Sequence, residues 1–277
     1  MTTNGATQDL ATRYLTRPDG RVAYDVSGDG PLVVLVPGMG DLRSSYRFLA
    51  PVLVEAGYRV AGTDLRGHGE SDCGFDAYGD AETAGDITAL IEELGGPAVV
   101  IGNSMGAGAG VLAAAVRPEL VDGLVLIGPF VRNGPIGVVQ RFGLRLAMAR
   151  PWAALSWKMY LPKLYAGRKP VDFDQYRATV ATALRRPGYG RSFSLTTRTS
   201  HDPAEARLAE VSLPSLVVMG AMDPDFADPE AEARWIGGVL GSEVVMVAEA
   251  GHYPQSQQPE ITGDAVVRFL GKMQKGA

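Results

Sequence analysis

Gly102-Asn103-Ser104-Met105-Gly106 places a serine between two glycines, directly after the apolar run Ala98–Ile101 and directly before an alanine-rich helical pattern. A serine on a tight strand-to-helix turn presents its hydroxyl at a helix N-terminus, where backbone N–H groups and the helix dipole favour a developing negative charge. The flanking glycines remove side chains that would clash between strand and helix. A plain Gly/Ser turn would account for the pentapeptide alone, and its position between strand and helix selects the nucleophilic reading.

A serine hydroxyl is a poor nucleophile at neutral pH, so it needs a base, and the base needs an orienting acid. The chain has three histidines, His68, His201 and His252. His252 follows the last strand-like run in Ala250-Gly-His-Tyr-Pro254, and Asp223 follows the run before it in Gly220-Ala-Met-Asp-Pro224. Both loops belong at the sheet edge that carries Ser104, and the chain order Ser, Asp, His suits that arrangement. A histidine after Gly can also cap a loop, and Asp-Pro commonly opens a turn. Asp225 and Asp228 compete for the acid role, but Asp228 suits a helix N-cap and Asp225 lies further from the strand end. No Asp or Glu occurs between Asp122 and Asp172, which removes an acid after Leu124–Ile127. Two backbone donors for an oxyanion are expected from Met105 and, on the glycine-rich turn Pro37-Gly-Met-Gly40, from Met39; losing one such donor costs about 2.7–4 kcal/mol.

The elements that position these groups read as alternating strands and helices. Short apolar runs, too short for helices, recur at Pro31–Val36, Arg59–Thr63, Ala98–Ile101, Leu124–Ile127, Ser215–Met219 and Glu243–Val247, and Arg21–Ser27 before them can pair as an earlier antiparallel strand. Ile87, Leu90, Ile91 and Leu94 form one helical face that Gly95-Gly96 ends. Asp228-Pro229-Glu230 and Pro259-Glu260 open two further helices. The expected fold class is α/β: a mostly parallel twisted sheet of about eight strands, helices on both faces, and a helical cap insertion. Residues 1–129 and 206–277 form the expected core, and 130–205 the cap over the sheet's C-terminal edge. Phe130 and the cap aromatics, Trp157 among them, are expected to line an apolar pocket with Gly38, Asn103 and Tyr253.

The 277 residues are 46% hydrophobic and 21% charged, with a net charge of −5, which places the chain among globular proteins and gives no general affinity for nucleic acid. A single cysteine, Cys73, excludes an internal disulfide and a cysteine-rich metal site. No signal-like leader and no long apolar run is present, so the expected setting is cytoplasmic, without a membrane span. Residues 130–205 carry thirteen Lys/Arg against four acids, opposite in sign to the rest of the chain. These charges either solvate the cap's outer face or, at one or two arginines, hold a substrate carboxylate.

At these residues the chain resembles the α/β-hydrolase superfamily, in its esterase, lipase and C–C hydrolase branch, from about Arg21 to Phe269. The likeness includes Asp64-Leu-Arg-Gly-His-Gly-Glu-Ser71, a loop the family uses structurally, which implies that His68 is not catalytic. It also includes Gly251-His252 with Gln258-Pro259-Glu260 shortly after. Pro37-Gly38 stands where the family often has His-Gly, and a serine nucleophile argues against the epoxide hydrolase and haloalkane dehalogenase branches. The resemblance implies hydrolysis of a small carboxylic ester through an acyl-enzyme, with no metal or organic cofactor. Asn103-Ser104-Met105-Gly106 also resembles the elbow of C–C bond hydrolases acting on carboxylated, diketone-like substrates, although Tyr253 stands where those often carry Trp. A ligand-binding or signalling protein on the same fold is the reading from a different class.

Overall fold

Valine-rich segments pair along their length because parallel strands buried on both faces need apolar side chains on each. The computed structural model describes residues 11–134, 143, 146–149 and 151–276. Its strands are β1 (Arg13–Arg17), β2 (Gly20–Ser27), β3 (Leu32–Val36), β4 (Arg59–Thr63), β5 (Ala98–Asn103), β6 (Val121–Ile127), β7 (Ser215–Gly220) and β8 (Glu243–Val247). They form an eight-stranded sheet in the order β1-β2-β4-β3-β5-β6-β7-β8. β1 and β2 pair antiparallel, as do β2 and β4, and the remaining neighbours are parallel. β1 is the strand that the apolar runs do not announce: in Arg-Tyr-Leu-Thr-Arg only Leu15 is buried, as an edge strand allows.

One face of the sheet is covered by α2 (Asp80–Glu93), α3 (Met105–Val116) and α8 (Pro229–Leu240). Ile87, Leu90 and Ile91 dock there as the periodicity predicts, and Asp228 caps α8 by accepting from Ala231 N–H at 3.0 Å. The other face is covered by α1 (Leu49–Glu55) and α10 (Pro259–Gly276), through Leu49, Leu53, Val266, Phe269 and Leu270. α9 (Pro254–Gln257) is a single buried turn leading into α10.

Between β6 and β7 the chain carries α4 (Ala153–Leu164), α5 (Phe173–Arg185), α6 (Tyr189–Thr196) and α7 (Asp202–Arg207), with no strand among its described residues. Trp157, Leu161, Leu164, Tyr165, Phe173, Tyr176, Val180 and Phe193 make an apolar cluster of their own, which Tyr253 joins from the loop after β8. This helical insertion sits on the loops at the C-terminal ends of the parallel strands. Trp157 Nε1–H donates to Gly40 O at 2.8 Å after β3, and His252 N–H donates to Leu164 O at 2.8 Å after β8. No helix among the described residues is long and apolar enough to cross a membrane.

Candidate active site

Ser104 stands between β5 and α3 with φ 57° and ψ −123°, a region that costs a non-glycine residue strain and persists only where packing enforces it. The packing is visible in its neighbours. A Cβ on Gly102 would lie 2.3 Å from Gly106 O, and one on Gly106 would lie 2.5 Å from Val36 O, so strand and helix approach too closely for any side chain. Ser104 N–H donates to Ile127 O at 2.9 Å, and Phe130 N–H donates to Ser104 O at 3.2 Å, fastening the turn to the end of β6. Among the described residues the Ser104 hydroxyl itself makes no hydrogen bond.

His252 and Asp223 are both about 2% exposed and joined by a 2.7 Å hydrogen bond between Nδ1 and Oδ2, in which the ring N–H donates. Asp225 lies behind, its Oδ2 3.9 Å from the same Nδ1, while its backbone N–H donates to Asp223 Oδ1 at 3.1 Å. The Asp223–His252 bond also accounts for the close approach of these three groups, whose ligand-type atoms fall within 4.8 Å of one another. Burial disfavours the imidazolium, but the charge and hydrogen bond of Asp223, with Asp225 and Asp41 further off, outweigh it and raise the pKa of His252 to about 9.

The turn after β3 runs against Ser104: a Cβ on Gly38 would lie 2.8 Å from Ser104 Cβ and 3.3 Å from its Oγ. Half-buried Met39 follows on this turn. Met105 opens α3, and a first-turn N–H has no acceptor within its own helix. Asn103 is fully buried; its Nδ2 donates to Ile127 O at 3.0 Å and to His252 O at 3.1 Å, so it ties the His252 loop to β6. Phe130 places its ring 5.7 Å from that of His252. Tyr253 stacks on Tyr165 at 4.7 Å and packs within the insertion's cluster.

Asp41 and Tyr160 had no signal in the sequence. Asp41, two residues past Met39, is fully buried; its Oδ1 accepts from the Tyr176 hydroxyl and from Leu42 N–H, and its Oδ2 has no partner. Burial above all pushes its carboxyl up to about 6. Tyr160 on α4 donates to Asp225. His201 Nδ1 pairs with Asp80 Oδ2 at 2.7 Å, with its ring 5.5 Å from that of Phe130. His68 is buried with Nδ1–H on Arg66 O at 3.0 Å, and burial lowers its pKa to about 4, so it stays neutral.

The described basic residues of the insertion serve its surface and seams. Arg132 pairs with Glu232 and covers Trp235, Arg177 pairs with Asp174, and Arg186 donates to Gly69 O and to the Tyr189 hydroxyl. Lys158, Lys163, Arg168, Lys169, Arg191 and Arg198 are exposed. None of the described Lys or Arg residues of the insertion is buried; Arg141, Arg145 and Arg150 lie outside the described residues. A largely buried guanidinium that meets the insertion is Arg47 of the core, paired with Asp172 at 2.6 Å and stacked on Tyr176.

This chain belongs to the alpha/beta hydrolase family, whose model matches residues 33–265, and it is accordingly a hydrolytic enzyme. It is 27% identical to a 2-hydroxy-6-oxononadienedioate/2-hydroxy-6-oxononatrienedioate hydrolase of Klebsiella pneumoniae, over 96% of this chain and 98% of that one. It is 28% identical to a 2-(acetamidomethylene)succinate hydrolase of Mesorhizobium japonicum, over 91% and 92%. Among solved structures, a thermophilic esterase from Thermogutta terrifontis superposes with a TM-score of 0.81 at 23% identity, covering 95% of this chain and 99% of that one.

Proposed function

We propose that the enzyme hydrolyses a small carboxylic ester through a Ser104 acyl-enzyme, with His252 as general base and acid and Asp223 as its orienting partner. The observation that carries this reading is the buried 2.7 Å His252–Asp223 hydrogen bond, one loop away from a serine held at φ 57°. Asp223 fixes the proton on Nδ1, which leaves Nε2 as the acceptor. His252 Nε2 takes the Ser104 hydroxyl proton as Oγ bonds to the substrate carbonyl carbon. The oxyanion so formed is held by the N–H groups of Met39 and Met105. Collapse breaks the bond to the alkoxy oxygen, which leaves with the proton from His252. Water, deprotonated by the same imidazole, then releases the acid and restores Ser104. The contact of the Ser104 hydroxyl with His252 closes when substrate enters, since such bonds commonly tighten only in the loaded site. The insertion acts as a cap, residues 130–205 on a core of 1–129 and 206–277, and Gly38, Phe130 and Trp157 border the acyl site.

Assay of p-nitrophenyl esters of increasing acyl length tests this directly. Wild type should turn over the short esters and Ser104→Ala should not; equal rates for the two proteins on every ester would reject the reading. A second reading, hydrolysis of a C–C bond in a carboxylated diketone-like substrate, is favoured by the name of the Klebsiella relative and by Asn103 before the serine. It uses the same three groups but requires a cation for the substrate carboxylate, and the described cap arginines are turned to surface and seam. Turnover of a vinylogous 1,5-diketo acid, with none on esters, would select it.

A further inference from the structure

Asp225 is not used by this mechanism, yet it occupies the second position around the base. Its Oδ2 lies 3.9 Å from His252 Nδ1, against 2.7 Å for Asp223 Oδ2. The side chain is only 18% exposed, so its charge acts across protein and not across water. Two hydrogen bonds hold it in place: its own N–H reaches Asp223 Oδ1, and its Oδ1 accepts from the Tyr160 hydroxyl of α4. The second oxygen is thereby left facing the imidazole. Helix capping does not explain the residue, because Asp228 fills that role for α8.

We propose that Asp225 is an auxiliary carboxylate of the base, sharing the stabilisation of protonated His252 with Asp223 and orienting the imidazole when the Asp223 charge is removed. This rests on His252 acting as the base of the proposed reaction. The groups that face His252 are consistent with it. Asp223 and Asp225 approach from the loop after β7 and Asp41 acts from the loop after β3, while Phe130 and Tyr253 contribute rings. Burial pushes the Asp225 carboxyl up, and the His252 charge and the Tyr160 hydroxyl pull it back toward ionisation. Tyr160 faces Asp225 and its own ionisation is driven higher by burial and by that carboxylate, so it remains a donor.

The first test needs no substrate. With only three histidines in the chain, imidazole resonances of labelled protein can be assigned by His252→Gln and titrated. In Asp225→Asn the His252 titration should fall by about 1 pH unit, the lower end of what an opposite charge at this range produces. An unchanged titration would overturn the proposal. The second test is kinetic. Removing the orienting charge from a triad costs about 10⁴ in kcat where nothing replaces it. Asp223→Asn should lose only about 10² and Asp223→Asn/Asp225→Asn should fall to the full loss of about 10⁴. Equal rates for the two would overturn the proposal. Tyr160→Phe separates charge from cap docking: combined with Asp223→Asn it should stay well above the double carboxamide, and a rate as low as the double would assign Asp225 to docking alone. If wild type proves inactive on esters, the proposed reaction fails while the His252 titration still decides the role of Asp225.

Discussion

In the proposed reaction His252 must be neutral to accept a proton, and it shares its surroundings with three carboxylates. The raised pKa therefore moves activity upward in pH: kcat/KM should climb through neutrality and level off above about 9, in the profile of any ester the enzyme accepts. Stability follows the opposite course. A histidine whose folded value exceeds its unfolded 6.5 contributes stability that is fully present below 6.5 and is lost as pH rises through about 9. The difference in melting temperature between wild type and His252→Gln should shrink across that window. Gly38 offers a separate check on the backbone of the site. In Gly38→Ala the new methyl meets Ser104 Cβ at 2.8 Å, and the shift it forces should cost about 10² in kcat and about 1–3 kcal/mol of stability. The positions of Ser104, His252 and Asp223 at strand ends could be read from the sequence, because each follows its own apolar run. The place of Asp41 could not, because its burial and its partner come from Tyr176, 135 residues further along.

The elements that hold these residues were legible to different degrees, for physical reasons. Strands buried on both faces write themselves as valine runs, whereas β1 buries one residue in five and leaves no such trace. The helical insertion could be recognised from its length and lack of strands, but not its grip on the loops below. Those contacts join residues far apart in sequence, such as Trp157 and Gly40, and Tyr160 and Asp225. Trp157→Phe keeps the ring packing and removes one hydrogen bond to the turn that carries Met39. It should lower kcat more than it raises KM, and cost about 1 kcal/mol of stability by denaturant unfolding. The arginine surplus of the insertion was visible as a number, while the direction of each guanidinium depends on partners such as Glu232 that no spacing rule supplies.

At the scale of the whole molecule, the most heavily engaged ion-pair network among the described residues lies within the core and centres on Arg43. It pairs with Asp25, Asp64 and Glu70 together, and Asp64 is 1% exposed. Arg43→Ala leaves that carboxylate without its cation and should destabilise the fold by about 3–5 kcal/mol, read from the urea midpoint. The hydrogen bond between Trp157 and the turn beside Ser104 has a further consequence, of an optical kind. The chain has three tryptophans; Trp152 is 44% exposed, and Trp235 lies 3.7 Å beneath the Arg132 guanidinium, at a distance from the chemistry. Trp157 has its indole N–H on Gly40 O, in the turn that the proposed mechanism assigns to the oxyanion. If the proposed acyl-enzyme forms, the emission of this indole reports it, and rapid mixing with an ester should show a fluorescence transient that Trp157→Phe extinguishes.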